Sequence, residues 1–504
     1  MGTEEAIAIV IAVAAILVIA KLLRNRNRNL LPPQPPSWPI TGHLHLLKKK
    51  QPLHRTLFSV AGRYGPITYL QLGFRPAIVV SSSKLAKECL TAKDKIFASR
   101  PSILASRLMG YDFKVLPWLP YGPYWRDLRK ICTLQLLSAH RIQSLKHVRM
   151  EEVSALVSSL FQASQLQGAS GDMKARLFQL TFNIILRMVA SKSIRGPPGS
   201  GDSEDMLKFK DLIEETFLLV GSFSLGDYLP FLQLFDGGIR GAMMNAQKKR
   251  DDYMQRLVND HRQTRRAHED LIDVLIATTD KDDTLSKDKD TVVKASAIAM
   301  ITAGTDTSAT TIEWALSALL QHPHILSKVQ EELDTHIGRD RLIDESDLPK
   351  LTYLQAIIKE TFRLYPAAPL MIPHESMEAC NVGGFDVPTG TRLLVNVWAI
   401  HRDPAVWERP TEFDPGRFLK SQTEIDVKGQ HFELLPFGSG RRMCPGLNLG
   451  LTVVSYALAR LLHSFEWSVP PGTTIDMREG LGLTMPKAIP LEAIIKPRLP
   501  LHLY

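Results

Sequence analysis

The sequence predicts an α+β protein: one large, mainly helical domain with small β-sheets, preceded by an N-terminal transmembrane anchor. Three observations support this prediction. Residues 6–20 carry no polar side chain, long helical patterns dominate from residue 124 to residue 365, and short runs typical of strands lie on either side of them, at 67–80 and 382–397. The composition, 44% hydrophobic and 22% charged, is that of a folded globular chain and excludes a disordered, collagen-like or coiled-coil protein.

Residues 6–23 form the predicted anchor. Lys21 can extend its charged end to the membrane surface, so the apolar stretch spans about 27 Å as a helix, close to the roughly 30 Å core of a bilayer. Two glutamates precede the stretch and basic residues follow it, which is the reverse of a cleaved signal peptide. The positive-inside rule then predicts residues 1–5 in the lumen and the rest of the chain in the cytosol. The alternative, a buried hydrophobic helix, is disfavoured because residues 24–29 alternate charged and amide side chains.

The net charge of +9 is concentrated at the N-terminus, where eight basic and two acidic side chains in residues 1–55 account for +6. The charge therefore indicates membrane topology rather than a nucleic-acid-binding surface. Residues 24–40 are basic and then rich in proline, which predicts an extended hinge. The globular domain follows as residues 41–504. A chain of 504 residues favours about three domains, but we find no internal repeat and no interruption long enough for a domain linker.

Within the globular domain, several elements are predicted in chain order. Residues 67–80 indicate two short strands around a Gly-Phe-Arg-Pro turn, and residues 83–91 indicate a capped helix. Long helices then follow up to residue 365. Short strands return at residues 382–397, where glycine and proline mark tight turns, and a last long helix is predicted at 447–465.

One of the four cysteines has the surroundings of a ligand. None of them forms a Cys-x-x-Cys pair, which argues against a disulfide scaffold or a zinc ribbon. Cys444 lies in a glycine-rich loop, residues 437–446, directly before the last long helix, and the start of a helix favours a thiolate. The alternative is an inert buried cysteine. The other three are predicted to be packing residues: Cys89, Cys132 and Cys380.

The cysteine loop resembles that of the cytochrome P-450 family, which reads Phe-x-x-Gly-x-Arg-x-Cys-x-Gly. All five fixed positions are matched, by Phe437, Gly440, Arg442, Cys444 and Gly446. The resemblance implies that Cys444 is the axial thiolate ligand of the iron of haem b. It also implies that Phe437 packs beside the thiolate and that Arg442 pairs with a haem propionate.

A second motif of the same family is matched by residues 303–308, Ala-Gly-Thr-Asp-Thr-Ser. The resemblance implies that Ala303 and Gly304 lie over the haem, where the missing side chain of Gly304 lets the helix open around oxygen or water. It assigns Thr307 to a hydrogen bond with oxygen at the haem and Asp306 to proton delivery through water. Taken alone, the segment is more typical of a threonine-rich amphipathic helix with a solvated aspartate.

The resemblance also extends to a structural ion network. Glu360 and Arg363 lie three residues apart and by themselves describe a common surface pair. Their family counterparts are buried and joined by a further arginine, here Arg417. Gly416 departs from the glutamate that is usual in this element, but the arginine is retained.

Three more residues are implied to hold the haem propionates. Trp125 and Arg129 match the Trp-x-x-x-Arg helix of the family and would reach one propionate, while His374 would reach the second. For Arg129 the alternative is an exposed arginine on an amphipathic helix that buries Trp125.

The resemblance covers nearly the whole chain and is strongest to plant microsomal members. It implies a haem-thiolate monooxygenase with a single membrane pass in the endoplasmic reticulum and a cytosolic catalytic domain, which receives electrons from an NADPH-cytochrome P-450 reductase. One atom of O2 would enter a small lipophilic specialised metabolite, a terpenoid or a phenolic, flavonoid-like compound, mainly by hydroxylation. Two alternatives stay open: a reductase-independent isomerase or dehydratase, which usually lacks the Asp306–Thr307 pair, and a non-enzymatic membrane scaffold without haem.

Overall fold

The computed structural model describes residues 31–47, 51–167, 171–194, 201–264, 269–281 and 289–504. The predicted lumenal segment, the anchor at 6–23 and the basic part of the hinge lie outside the described residues. Within those ranges, no helix is both long enough and apolar enough to cross a membrane.

The described chain is mainly helical with small sheets, as the sequence predicts. The helices are α1 (Leu53–Tyr64), α2 (Ser83–Leu90), α3 (Leu104–Leu108), α4 (Pro123–Gln135), α5 (Ala139–Ser144), α6 (Lys146–Gln167), α7 (Met173–Ala190), α8 (Gly201–Val220), α9 (Gly237–Gln263), α10 (Leu271–Lys281), α11 (Lys289–Gln321), α12 (Pro323–His336), α13 (Thr352–Leu364), α14 (Val397–Ile400) and α15 (Leu447–Ser464). The strands are β1 (Ile67–Leu72), β2 (Arg75–Val80), β3 (His374–Glu375), β4 (Cys380–Val382), β5 (Phe385–Val387), β6 (Arg392–Val395), β7 (Phe465–Ser468) and β8 (Ile494–Pro497). Short 3-10 turns lie at Leu44–Leu46, Pro230–Asp236, Glu345–Lys350, Pro415–Leu419, Gly440–Arg442 and Leu501–Leu503.

The larger sheet has the strand order β1-β2-β6-β3. β1 and β2 are an antiparallel hairpin, β2 runs parallel to β6, and β6 runs antiparallel to β3. The hairpin turn needs Gly73, whose φ is +59° and where a Cβ atom would lie 2.4 Å from the carbonyl oxygen of Tyr228. β4–β5 and β7–β8 form two-stranded sheets. The strands expected at 67–80 and 382–397 are therefore present, and the second run ends in the short helix α14.

Helix α11 is buried along most of its length and forms one wall of the central cavity described below. Its small side chains let neighbouring elements approach closely. Near its C-terminal end, the Trp314 ring stacks on Tyr365 at 4.5 Å between centroids and donates from Nε1 to the carbonyl of Met485 at 2.8 Å. These contacts fix α11 against both α13 and the segment that precedes β8.

A buried ion network joins α13 to the turn at Pro415–Leu419. Glu360 and Arg363 are completely buried, and the Nε and Nη2 atoms of Arg363 donate to the Glu360 carboxylate at 2.7 and 2.8 Å. Arg417 Nε donates to the same carboxylate at 3.2 Å, and the backbone N–H of Asp414 donates at 2.9 Å. The structure thus brings the three predicted network residues together. Arg417 makes its contact with Glu360 although Gly416 stands where the family usually has a glutamate.

The network extends to the segment that leads into the cysteine loop. Arg363 Nη1 donates to the carbonyl of His401 at 2.8 Å, and His401 Nδ1 donates back to the carbonyl of Arg363 at 3.1 Å. Burial lowers the pKa of His401 to about 3, so the ring is neutral and its Nε2 accepts from the Leu435 N–H at 2.8 Å. The position of the cysteine loop therefore depends on the ion network.

We expect Glu360→Gln to lower the free energy of unfolding by about 3–5 kcal/mol, because the change removes a buried charge and leaves two buried arginines without their counter-ion. Urea unfolding at pH 7, followed by circular dichroism, measures this. The control is Glu204→Gln, which makes the same chemical change in a fully exposed pair with Lys208 and is expected to leave the transition unchanged. Equal unfolding transitions for the two variants would contradict a structural role for Glu360.

Candidate active site

A deep cavity lies between α11, the start of α15, residues 366–374 and the cysteine loop at 437–446. Its volume, including the part open to solvent, is about 1650 Å³. The side chains at its wall are mainly apolar, and among the described residues that line it none is acidic.

The cysteine loop is a closed turn that directs Cys444 into the cavity. The backbone N–H of Cys444 donates to the carbonyl of Phe437 at 2.9 Å, and the Phe437 ring packs edge-on against Phe362 at 5.1 Å. Gly440 has a φ of +69°, and a Cβ atom there would lie 2.5 Å from the carbonyl oxygen of Leu90. The loop therefore needs its glycine for both the backbone angle and the close approach.

The Cys444 side chain is open to the cavity rather than packed in the core. Burial within the protein raises the pKa of its thiol, and the Gly446 N–H and the Arg129 guanidinium oppose this rise. A metal ion at the sulfur would deprotonate it outright. Cys89 and Cys132 are buried and Cys380 is half-buried, and none of these three lines the cavity.

Two arginines flank the Trp125 ring at one edge of the cavity. The Arg442 guanidinium lies over the ring at 4.4 Å and that of Arg129 at 5.4 Å. Arg442 donates from Nε and Nη2 to the carbonyls of Ala98 and Leu119, each at 2.6 Å, but its buried Nη1 has no partner in the described part of the chain. Arg129 Nη2 donates to a backbone carbonyl of the cysteine loop at 2.6 Å. The structure thus brings together three residues that the sequence predicts for one role.

Arg100 belongs to the same edge and was missed from the sequence. Its Nη1 donates to the carbonyls of Ile372 and Pro373 at 2.7 and 3.0 Å, and its Nε donates to the carbonyl of Pro117 at 3.0 Å. His374, predicted for this edge, also lines the cavity and pairs through Nδ1 with a backbone carbonyl at 2.8 Å. In the sequence, Arg100 stands between Ser99 and Pro101 and belongs to none of the motifs described above.

The electrostatics of this edge favour an anionic ligand. Burial, with Arg129 close by, lowers the pKa of Arg442 to about 9, and burial lowers the pKa of Arg100 as well. Arginine keeps its proton in proteins, and the described hydrogen-bond partners of both guanidinium groups are backbone carbonyls. Buried charge without a counter-ion costs several kcal/mol, so a negatively charged group at this edge would be strongly bound.

The middle of α11 forms another part of the cavity wall. Ala303, Gly304 and Thr307 line it, and the Thr307 hydroxyl donates to the carbonyl of Ala303 at 2.8 Å. A Cβ atom at Gly304 would lie 2.8 Å from Cδ1 of Ile185 in α7. The missing side chain therefore permits close packing of α7, which the sequence did not predict, and α11 continues as a helix through this point.

Asp306 does not line the cavity. It is 9% exposed, and its carboxylate accepts a hydrogen bond of 2.6 Å from the Thr484 hydroxyl. Burial raises the pKa of Asp306, and the bond from Thr484 partly offsets this. The structure therefore separates two neighbouring predicted residues, since Thr307 faces the cavity and Asp306 points away from it.

The fold is mainly helical and surrounds a cavity that is lined by a cysteine, apolar side chains and a basic edge. These features are typical of a class of enzymes that enclose a large amphiphilic cofactor. The family model for cytochrome P-450 matches residues 32–491 of the chain. The chain therefore belongs to the cytochrome P-450 family, whose members carry a haem iron.

The relatives make it a plant monooxygenase of this family. A xanthotoxin 5-hydroxylase of Arabidopsis thaliana is 46% identical, with 93% of each chain covered. A demethylepipodophyllotoxin synthase of Sinopodophyllum hexandrum is 44% identical, with 94% of this chain and 93% of the relative covered. Among solved structures, a zebra fish cytochrome P-450 with progesterone has a TM-score of 0.76 and 28% identity over 89% of this chain and all of the other.

Proposed function

We propose that this monooxygenase hydroxylates a small lipophilic plant metabolite and that Cys444 is the ligand of its haem iron. The observation that carries the proposal is the cavity itself, in which Cys444, the basic edge and the small residues of α11 face one enclosed space. A cysteine and a threonine that line one cavity fit an enzyme that reacts oxygen with a bound substrate. We also infer that residues 41–504 form a single haem domain.

The residues around the cavity fit haem b. Cys444 would supply the thiolate, the apolar side chains of the cavity wall would face the macrocycle, and Phe437, which lines the same cavity, would lie near the sulfur. The propionates would pair with the unpartnered Nη1 of Arg442 and with its neighbours at the basic edge, which are Trp125, Arg129, His374 and Arg100. When bound, haem supplies the activation of dioxygen for insertion into a C–H bond.

The chain's own contribution is to position the reactants, exclude water and control protons. Ala303 and Gly304 present a surface without bulky side chains, which leaves room for dioxygen and substrate. The Thr307 hydroxyl faces this space and can donate a hydrogen bond to dioxygen once it leaves the carbonyl of Ala303. Asp306 holds a proton outside the cavity and passes it inward through water and Thr307.

The substrate that we propose is a terpenoid or a phenolic, flavonoid-like compound. Once the propionates occupy the basic edge, the rest of the wall is mainly apolar and offers no acidic counter-ion among the described residues. The residues that support this are Leu116, Ile185, Ala299, Ala367, Ala368 and Ile372. The names of the relatives, hydroxylases of xanthotoxin and strychnine among them, agree with a role in specialised metabolism.

We propose an NADPH-cytochrome P-450 reductase as the electron donor. The competing function, a reductase-independent isomerase or dehydratase, needs no hydroxyl over the oxygen site, whereas Thr307 faces the cavity here. Relatives described as hydroxylases and monooxygenases also favour oxygen insertion.

We further propose that the protein is held on the endoplasmic reticulum membrane by residues 6–23. An exposed apolar patch next to the hinge supports attachment to the membrane on this side of the protein. The Phe74 ring, at the β1–β2 turn, packs edge-on against the Phe231 ring with 6.1 Å between the centroids. The preceding residue, Gly73, donates its N–H to the carbonyl of Thr41. The patch consists of Trp38, Ile40, Phe74, Phe231, Leu234 and Phe235, all more than half exposed. Such a patch beside a membrane anchor fits contact with lipid.

We expect the reduced protein to give a carbon monoxide difference band at the thiolate-haem position, and Cys444→Ala to abolish it because the sulfur ligand is lost. The measurement is the difference spectrum together with the haem content. Cys132→Ala, at a buried cysteine away from the cavity, serves as control and should keep the band. A band that survives in the Cys444 variant would overturn the assignment.

We expect turnover to require both NADPH and the reductase, and Thr307→Ala to convert most of the electron flow to hydrogen peroxide because the hydrogen bond to dioxygen is lost. Substrates are first selected from terpenoids and phenolics by the shift of the haem spin state. Product and peroxide per NADPH are then measured, with Thr307→Ser as the variant that keeps the hydroxyl. Turnover without reductase would instead support the isomerase, and unchanged coupling in Thr307→Ala would exclude this role for the threonine.

We expect deletion of residues 1–30 to weaken membrane binding but not abolish it, and Leu234→Asp with Phe235→Asp to release the truncated protein, because charge opposes burial in lipid. Sedimentation with microsomal-lipid vesicles measures the bound fraction. Leu501→Asp adds one charge at an exposed leucine outside the patch and should have no effect. Full release by the deletion alone would assign binding to the anchor only.

A further inference from the structure

Asp306 is held by an element that is distant in sequence. Thr484 lies in the loop between Glu479 and β8, and its hydroxyl donates to the Asp306 carboxylate at 2.6 Å. This distance lies within the ordinary range for a hydroxyl donor and an oxygen acceptor. The bond keeps the carboxylate on the side of α11 that faces away from the cavity.

The loop that carries Thr484 is itself fixed on several sides. Gly480 N–H donates to the carbonyl of Pro486 at 2.7 Å, and Met485 N–H donates to the carbonyl of Ala367 at 3.0 Å. The Met485 carbonyl in turn accepts from Trp314 of α11 at 2.8 Å. Because Ala367 lines the cavity, the loop connects the Asp306 site with the proposed substrate wall.

The base of the loop is anchored by an ionised glutamate. Glu479 accepts hydrogen bonds from Arg55 at 2.6 and 2.9 Å and from Trp398 Nε1 at 3.0 Å. Despite its burial, bonds from His54 and Arg55 lower the pKa of Glu479 to about 2, so it is charged at any physiological pH. Thr484 is therefore presented by a preorganised loop rather than by a mobile one.

We propose that Thr484 is a positioning residue for proton delivery: its hydroxyl holds the carboxyl group of Asp306 outside the cavity until the proton is needed. The inference rests on the proposed role of Asp306. It adds that the orientation of this group is set by the loop at residues 480–486 and not by α11 alone.

The other charged groups that face Asp306 act at longer range. Lys174 of α7 favours the ionised carboxylate and Glu214 of α8 disfavours it, and both side chains belong to exposed residues. The Thr484 hydroxyl is the group that bonds to the carboxylate directly. Its removal should therefore change both the orientation and the protonation of Asp306.

The test compares Thr484→Val, which keeps the shape of the side chain but removes the donor, with Thr484→Ser, which keeps the donor. The holoenzyme is titrated by infrared difference spectroscopy, and the carboxyl band of Asp306 is assigned by its loss in Asp306→Asn. We expect the valine variant to raise the protonation midpoint by about one pH unit and the serine variant to keep it, because the hydroxyl bonds to the ionised form. Thr473→Val removes an exposed hydroxyl bonded to Pro470 and should leave the midpoint unchanged.

The same variants are compared for product formed per NADPH with the reductase present. We expect Thr484→Val to lower this ratio at least twofold, and to have no further effect in the Asp306→Asn background, since Thr484 acts through Asp306. An unchanged midpoint in Thr484→Val, or a loss of coupling that is equally large in the Asp306→Asn background, would overturn the proposal. Normal coupling in Asp306→Asn alone would refute the proton role of Asp306, while the infrared midpoint would still decide whether Thr484 holds it.

Discussion

The basic edge of the cavity is the constraint on which the arrangement of the site depends. This edge is formed by three arginines from separate parts of the chain, Arg100, Arg129 and Arg442. Their guanidinium groups donate hydrogen bonds to backbone carbonyls of other segments. Each guanidinium therefore acts as a cross-link between loops as well as a charge. Because charge buried in this way costs several kcal/mol, the site gains most when an anion completes it. We infer that a cofactor with negatively charged groups at one edge stabilises this part of the protein as well as supplying its chemistry.

The second constraint, the Glu360 network, explains how the cysteine loop is kept in register with that edge. The network is completely buried, and through neutral His401 it extends to the backbone of Leu435, just before the loop. On the other side, Arg129 bonds to the loop itself. A loop held at both ends keeps the sulfur of Cys444 at a fixed place relative to α11, as its proposed role as haem ligand requires.

Some features of the site are determined by neighbouring residues in the sequence, and others by contacts between distant segments. The strands at 67–80 and the loop around Cys444 could be predicted because neighbouring residues determine them. Arg100 could not, since its partners lie at Pro117 and Ile372, which only the folded chain brings close. The packing role of Gly304 depends in the same way on Ile185 of another helix. The sequence also suggested one site for Asp306 and Thr307, although adjacent residues on a helix point about 100° apart.

This angular separation resolves a conflict between two requirements of the proposed reaction. An apolar cavity excludes water and so protects reactive oxygen chemistry, but it also excludes the usual source of protons. An ionisable carboxylate inside the cavity would bring water with it and would lie close to a lipophilic substrate. Placing Thr307 inside and Asp306 outside the wall leaves a neutral hydroxyl, rather than a carboxylate, on the cavity side of this part of α11. In the proposed mechanism, the proton reaches the substrate side of α11 through the adjacent residues Asp306 and Thr307. The loop that carries Thr484 can then control the position of Asp306 without occupying space that the substrate needs.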